Sequence, residues 1–401
     1  MNNIFAMIFW SFALSSLWLF QLVEVKFVAA FSQGALNLLG SRTSHVYSSA
    51  AQSRLFAAAD SRLEDFEDWS DERKADLFQF LLRDLEVEGV PLLGCDGVSA
   101  NKTLQGATWT VAGQLSENNF ERKCCMIFED IPVKHLKLFV ETFSSIKEDK
   151  SLMDSLHDLR RFSLSLVGNG IGPALILETQ NRTDAEIEQY DSMKKDTPEP
   201  NEPQWRAATE SFINRSFPDL EDSVEYRFLG SSDVCDILSG YWNCVCELEA
   251  TEAPDASAIV LSCPPSSGKE TLTRFVAVSK LISTMNSAYS EYKYSLMHFH
   301  PYYDNDRIQS KDTGHVPPTE ILREMILKKA GKQATETLTD EQLKLQNFKR
   351  RSPLPGVMIQ RLSKENDQGS EQFDFESSIR LANEGEEKLE EAHKEEIKLI
   401  S

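Results

Sequence analysis

Phe162-Ser-Leu-Ser-Leu-Val-Gly-Asn-Gly-Ile-Gly-Pro-Ala-Leu-Ile-Leu-Glu178 is the stretch on which the fold class turns. A glycine-rich loop after a strand is also how a dinucleotide site begins. Such a site needs a helix next, because the helix N-terminus holds the pyrophosphate. Here Phe162–Val167 alternates as a half-buried strand does, and Ala174–Glu178 is again β-like. The glycine spacing also departs from G-x-G-x-x-G. Gly168–Pro173 therefore reads as a hairpin connection, with glycines supplying positive φ. Working outward, the spacing predicts helices over Glu72–Val87 and Val133–Ile146 and strands over Thr108–Leu115 and Lys123–Phe128. Helix, two strands, helix, two strands make a compact α+β layer over about residues 65–180. Cys124 and Cys125, side by side on a strand, point to opposite faces and read as packing residues.

Residues 181–203 run from an acidic segment into Thr-Pro-Glu-Pro-Asn-Glu-Pro, the composition of a linker. A second α+β domain follows over 204–363. Its elements are a helix over Gln204–Phe217, a strand over Ser223–Phe228, a helix from Ser232 and a buried-type strand over Ala256–Cys263. Cys244 and Cys246 lie inside that helix, about 200° apart around its axis, so they cannot converge on a metal. The loop after Cys263 contains Gly268-Lys269 and leads into a long helix. It lacks the leading glycine of a phosphate loop, and Glu270 stands where a hydroxyl belongs; a serine cap is the better reading. Helices are also expected from Pro317 to Ala330, ending at Gly331, and over Leu338–Phe348. Residues 364–401 form an acidic helical or disordered tail.

The reactive side chains gather in Tyr294-Ser-Leu-Met-His-Phe-His-Pro-Tyr-Tyr-Asp304. Strand alternation puts His298 and His300 on one face, with Met297 and Phe299 on the other. An H-x-H pair is a pattern metal sites use, and Asp304, Asp306 or His315 would have to complete it. No metal is assigned, and hydrogen-bonding histidines beside tyrosines are the competing reading. The compact basic cluster is Lys349-Arg-Arg-Ser-Pro-Leu-Pro-Gly356, whose prolines stiffen an arginine pair suited to anions.

Phe299-His300-Pro301 with Tyr303, and Arg351-Ser352-Pro353 with Pro355, resemble the F-H-P-x-Y and R-S-P-x-P signatures of a bacterial family, number 1415 of the domains of unknown function. The resemblance covers about residues 204–363. It points to His300 and Arg351 and implies no named reaction.

Composition bounds the function. The formal charge is −21. Residues 1–59 hold Glu24 against Lys26, Arg42 and Arg54, a net +2, which leaves −23 on the rest. Such a body repels phosphate backbones, so nucleic-acid binding is excluded as a general role. Seven scattered cysteines fit a reducing compartment. The apolar run Ile4–Val23, ending in small residues at Val28-Ala-Ala30, reads as a signal peptide over 1–30. An uncleaved anchor is the alternative. Residues 31–59 are Ser- and Ala-rich, carry Arg42 and Arg54 and lack acids, as transit peptides do. Val28-Ala-Ala-Phe-Ser32 is similar to the Ala-Phe junction of bipartite presequences in algae with complex plastids. The expected destination is the plastid stroma, with no membrane span in the mature chain. The sequons at Asn101, Asn181 and Asn214 read as chance matches.

The expectation is a plastid protein of two α+β domains, with no cofactor assigned. It binds a small anionic ligand or a protein partner where His300, Tyr302 and Tyr303 meet Arg350 and Arg351. The catalytic alternative is a hydrolase or transferase with His300 as general base, Asp304 orienting it and Arg351 holding an anionic substrate. A metalloenzyme through His298 and His300 is the third reading.

Overall fold

Capping and patterning place most of the elements. The computed structural model describes residues 64–95, 98–117, 121–167, 172–196, 201–250, 258–265, 271–289, 294–310, 314–362 and 375–400. Residues 1–63 (with the expected presequence), Gly168–Ile171 of the glycine loop, the Gly268-Lys269 loop and the start of the acidic tail lie outside the described residues. Helix α1 (Asp71–Gln79) starts at Ser70, whose hydroxyl accepts from Arg73 N. It leads through a π turn to strand β1 (Leu92–Leu93). Next come α2 (Ala100–Ser116), β2 (Arg122–Phe128), α3 (Val133–Glu148), β3 (Phe162–Leu166) and β4 (Ala174–Thr179). After α4 (Asp184–Asp196) the second half gives α5 (Glu202–Ser216), β5 (Val224–Phe228), α6 (Val234–Ala250), β6 (Ala258–Ser262), α7 (Thr271–Tyr289) and β7 (Tyr294–Phe299). Then follow α8 (Asn305–Ile308), α9 (Thr319–Thr337), β8 (Gly356–Arg361), α10 (Phe375–Glu384) and α11 (Glu386–Ile400).

The fold class is α+β, with two four-stranded sheets ordered β1-β2-β4-β3 and β5-β6-β8-β7. The sheets are built alike. The first two strands run parallel around a crossover helix, and the fourth pairs antiparallel to both the second and the third. Helix, strand, helix, strand, helix and two strands thus occur twice. The halves differ between their last two strands. β3 and β4 are joined by the glycine loop, with Leu166 opposite Leu175 as a hairpin requires. Between β7 and β8 lie residues 300–355, including α8 and α9.

Three sequence expectations are corrected. Thr108–Leu115 belongs to α2 and is not a strand. Its β-branched and aromatic residues favour strands, but tertiary packing overrides that preference. Gly106 and Gly113 sit two turns apart on α2 and let α6 close in. A Cβ would stand 3.2 Å from Asn243 Oδ1 at Gly106 and 2.5 Å from Asp236 Oδ1 at Gly113. Second, the segment read as linker is helical over Asp184–Asp196. Thr183 and Glu186 form a reciprocal cap: Thr183 N donates to Glu186 Oε2 at 2.8 Å, and Glu186 N donates to Thr183 Oγ1 at 3.4 Å. Third, α9 runs through Gly331 to Thr337.

One hydrophobic core serves both halves. It includes Trp109, Phe139 and Phe143 from the first and Trp242, Tyr289, Leu296 and Ile359 from the second. Phe139 meets Tyr289 edge-on at 6.4 Å, and Tyr289 meets Trp242 in the same way at 6.4 Å. A smaller cluster behind the second sheet joins Phe212 and Ile213 of α5 to Val260, Phe299 and Met358. No helix among the described residues is long and apolar enough to cross a membrane.

β8 was not anticipated from the sequence, yet it pairs with both β6 and β7. Its first residue tolerates no side chain: a Cβ on Gly356 would lie 2.5 Å from Leu261 O and 3.2 Å from Ser262 Cα. These are backbone atoms of the partner strand, so relief requires separating the strands. Gly356→Ala is expected to cost about 1–3 kcal/mol, read as a lower urea midpoint at unchanged slope. A midpoint equal to wild type contradicts the close approach.

Candidate functional site

The insertion between β7 and β8 folds back on the end of β7. Alternation along β7 puts Phe299 against Phe212 and Phe217, with ring centroids 5.0 and 5.9 Å away. His298 and His300 face the other way, toward Phe275 of α7, at 6.3 and 4.8 Å. This is the face assignment that strand periodicity gives. His298 N donates to Gly314 O at 3.0 Å, which brings His315 over the imidazole. The His298 and His315 rings stack at 4.9 Å. Ser283 Oγ lies 3.4 Å from His298 Nε2.

All three histidines are buried. Burial holds His298 well below the usual imidazole range, with the His315 and Arg350 charges adding to it. Burial alone lowers His300 to about 4. Burial, then Arg350, lowers His315 to about 3. The cluster is neutral at pH 7.

One tautomer follows from the hydrogen bonds. Tyr302 N donates to His300 Nδ1 at 3.1 Å, so the neutral ring carries its proton on Nε2. Val316 N donates to Tyr303 Oη at 2.8 Å. The same oxygen lies 3.2 Å from His315 Nδ1. A hydroxyl that donates to Nδ1 leaves His315 Nε2 as an N–H, and one that accepts from it leaves Nε2 as a lone pair. His315 Nε2 is buried with no partner.

Beside the histidines is a cavity of about 60 Å³, lined by His298, His300, Arg274, Cys263, Val278 and Ile282 among others. Arg274 Nη2 donates to Asp158 Oδ2 at 2.7 Å and to Ser232 O at 3.2 Å. Asp158 comes from the first half, so the ion pair crosses the shared core. The Cys263 thiol is pushed up to about 12 by burial and is no nucleophile.

The residues proposed from sequence divide. His300 and Tyr303 join the cluster, and Arg350 adjoins it. His300 N donates to Arg350 O at 3.0 Å. The Arg350 guanidinium is buried, 5.9 Å from the Phe299 ring. Arg351 turns away: its Nε donates to Tyr303 O at 3.1 Å, and its guanidinium lies 4.4 Å over the Phe348 ring. Tyr302 is exposed. The imagined cleft of His300 beside the Arg351 guanidinium is thus not formed; the cation lining the His300 cavity is Arg274.

Asp304 does not orient His300. It caps α8, accepting from Asp306 N at 3.1 Å and Arg307 N at 3.4 Å. With Nδ1 already accepting, His300 offers a donor and not the lone pair a general base needs. His298 and His300 share a face, but no group of three metal-binding side chains occurs among the described residues. Arg274 was missed by sequence reasoning. Its signal was a cation in register with Val278 and Ile282 on an apolar helix face. No protein family, curated protein or solved structure matches this chain.

Proposed function

We propose that this is a binding protein for a small carboxylate, held in the cavity between α7 and the end of β7. One observation carries the reading: a largely apolar cavity is lined by one guanidinium-bearing residue, Arg274, and by the neutral imidazoles His298 and His300. Arg274 commits Nη2 to Asp158 and Ser232. Its Nε and Nη1 make no hydrogen bond among the described residues. At about 10–15 Å³ per water, the space takes roughly four waters, or a carboxylate of a few carbons. Its apolar part would rest on Val278 and Ile282 and its charge on Arg274.

The family resemblance supports the location. Its two signatures meet at the end of β7, through His300 N on Arg350 O and Arg351 Nε on Tyr303 O. The presequence reading puts this binding in the plastid stroma, with the mature chain starting near Asp60. N-terminal sequencing of the native protein tests that part.

Titration calorimetry with acetate, propionate and inorganic phosphate tests the ligand class. A carboxylate is expected to bind and phosphate not to. Val278→Leu adds one methylene to the wall and leaves every polar group in place. It is expected to weaken carboxylate binding at least tenfold, at a stability cost of about 1–3 kcal/mol. Equal affinity in Val278→Leu places the ligand elsewhere, and no heat with any carboxylate ends the proposal.

A further inference from the structure

A second group of buried donors lies outside that cavity's lining. Arg350 is 8% exposed, and its side chain makes neither a hydrogen bond nor an ion pair among the described residues. Its Nη1 is buried without a partner, as is His315 Nε2. The latter is a donor in the tautomer whose Nδ1 accepts from the Tyr303 hydroxyl. His315 comes from the first third of the insertion and Arg350 from its last few residues, and hydrogen bonds tie these two parts together. His300 N donates to Arg350 O at 3.0 Å, and Asn305 N donates to Asn347 Oδ1 at 2.9 Å. Asn305 Nδ2 in turn donates to Pro317 O at 2.7 Å.

Among the described residues, the carboxylates of α8 and its cap are engaged elsewhere. Asp304 caps α8. Asp306 accepts from Thr319 N at 3.0 Å and pairs with Lys344 at 3.5 Å. A buried guanidinium cannot shed its proton and costs several kcal/mol when its charge is uncompensated. Water would satisfy the N–H groups but not the charge. The imidazoles are neutral, so one positive charge needs one negative charge.

We propose that the space between the Arg350 guanidinium and His315 Nε2–H holds a monovalent inorganic anion, with chloride as its probe, which ties these two parts of the β7–β8 insertion together. The anion completes the fold and is independent of the carboxylate reading. Its seat uses Arg350 and His315, where the carboxylate cavity uses Arg274 and His300.

The test is thermal unfolding of the full chain in sodium gluconate, with chloride replacing gluconate at constant ionic strength. The melting temperature is expected to climb with the logarithm of chloride concentration. The dependence should vanish in Arg350→Gln and persist in Val278→Leu. Because Arg350→Gln risks misfolding, a second measurement uses the unaltered protein. Crystals grown in bromide are expected to show one anomalous peak within about 3.5 Å of both Arg350 Nη1 and His315 Nε2. A melting temperature indifferent to chloride, or no anomalous peak within that distance of the two groups, overturns the proposal.

Discussion

Lowering the pH from 7.5 to 5.0 is expected to remove about 6 kcal/mol of folding stability through His298, His300 and His315 alone. Each has a folded-state pKa depressed below the ordinary 6.5 by burial. The stability they contribute is therefore complete above pH 6.5 and lost as pH falls toward 4, because the unfolded chain takes up protons that the folded one refuses. Over the 1.5 pH units from 6.5 to 5, each group gives up about 2 kcal/mol. One carboxyl works in the opposite direction. Asp233 is raised from 3.8 to about 7 by burial, then by Asp158 and Asp236. Its folded form binds a proton that the unfolded form releases, so acidification from 7 to 5 returns about 3 kcal/mol. The net loss is about 3 kcal/mol, a large share of a stability of about 5–15 kcal/mol. Asp233→Asn retains an acceptor and removes the compensation, so its acid loss should approach the full 6 kcal/mol. His298→Asn should reduce the loss by about 2. Urea midpoints at the two pH values, at fixed chloride, measure all three proteins. Stability independent of pH over this range in both wild type and Asp233→Asn would show that the imidazoles are solvated.

The histidines were legible in sequence because a strand has period two. His298 and His300 had to share a face, and Phe299 had to take the other, whatever the sheet did. The hairpin over 162–178 was legible for the same reason. What sequence could not show depends on packing between distant segments. α2 carries strand-favouring residues and is helical because Gly106 and Gly113 accept α6. β8 is a short strand directly after a proline-rich turn, and only its pairing with β6 and β7 identifies it. The recurrence of one strand order in both halves is visible in topology alone, because the insertion of residues 300–355 breaks the length match. Arg350 and Arg351 were expected to act as a pair, and the structure separates them. Arg350 and Arg351 are neighbours in a turn, and turn geometry sends one guanidinium inward and the other out. His315 was considered only as a metal ligand, because nothing local reveals that Gly314 pairs with the backbone of His298.

Lys102→Met is expected to cost about 3–5 kcal/mol, although it exchanges one unbranched side chain for another. Lys102 lies in the first turn of α2 and Glu249 in the last turn of α6, so each opposes the dipole of its own helix. The helices pack antiparallel, as shown by Ser116 bonding Asp233 at one end and Lys102 bonding Glu249 at the other. Each charge therefore meets the favourable end of its neighbour. Lys102 Nζ lies 2.6 Å from Glu249 Oε1, with the lysine side chain 2% exposed and the glutamate 17%. Tyr294 Oη donates to the same oxygen at 2.6 Å. Removing the lysine leaves a carboxylate in a largely dry site between the two halves. Removing both charges leaves none, so Lys102→Met with Glu249→Leu should recover most of the loss, with Tyr294→Phe added to spare its hydroxyl. A double-mutant cycle in urea gives the coupling directly, expected at about 2 kcal/mol or more. The same samples report on the shared core. Because the pair joins α2 to α6 and β7, each variant should unfold in one transition, with tryptophan fluorescence and far-ultraviolet dichroism coincident. Lys102→Met costing under about 1 kcal/mol would mean that water reaches the pair. Two separated transitions in the wild type would mean that the halves do not depend on a common interior.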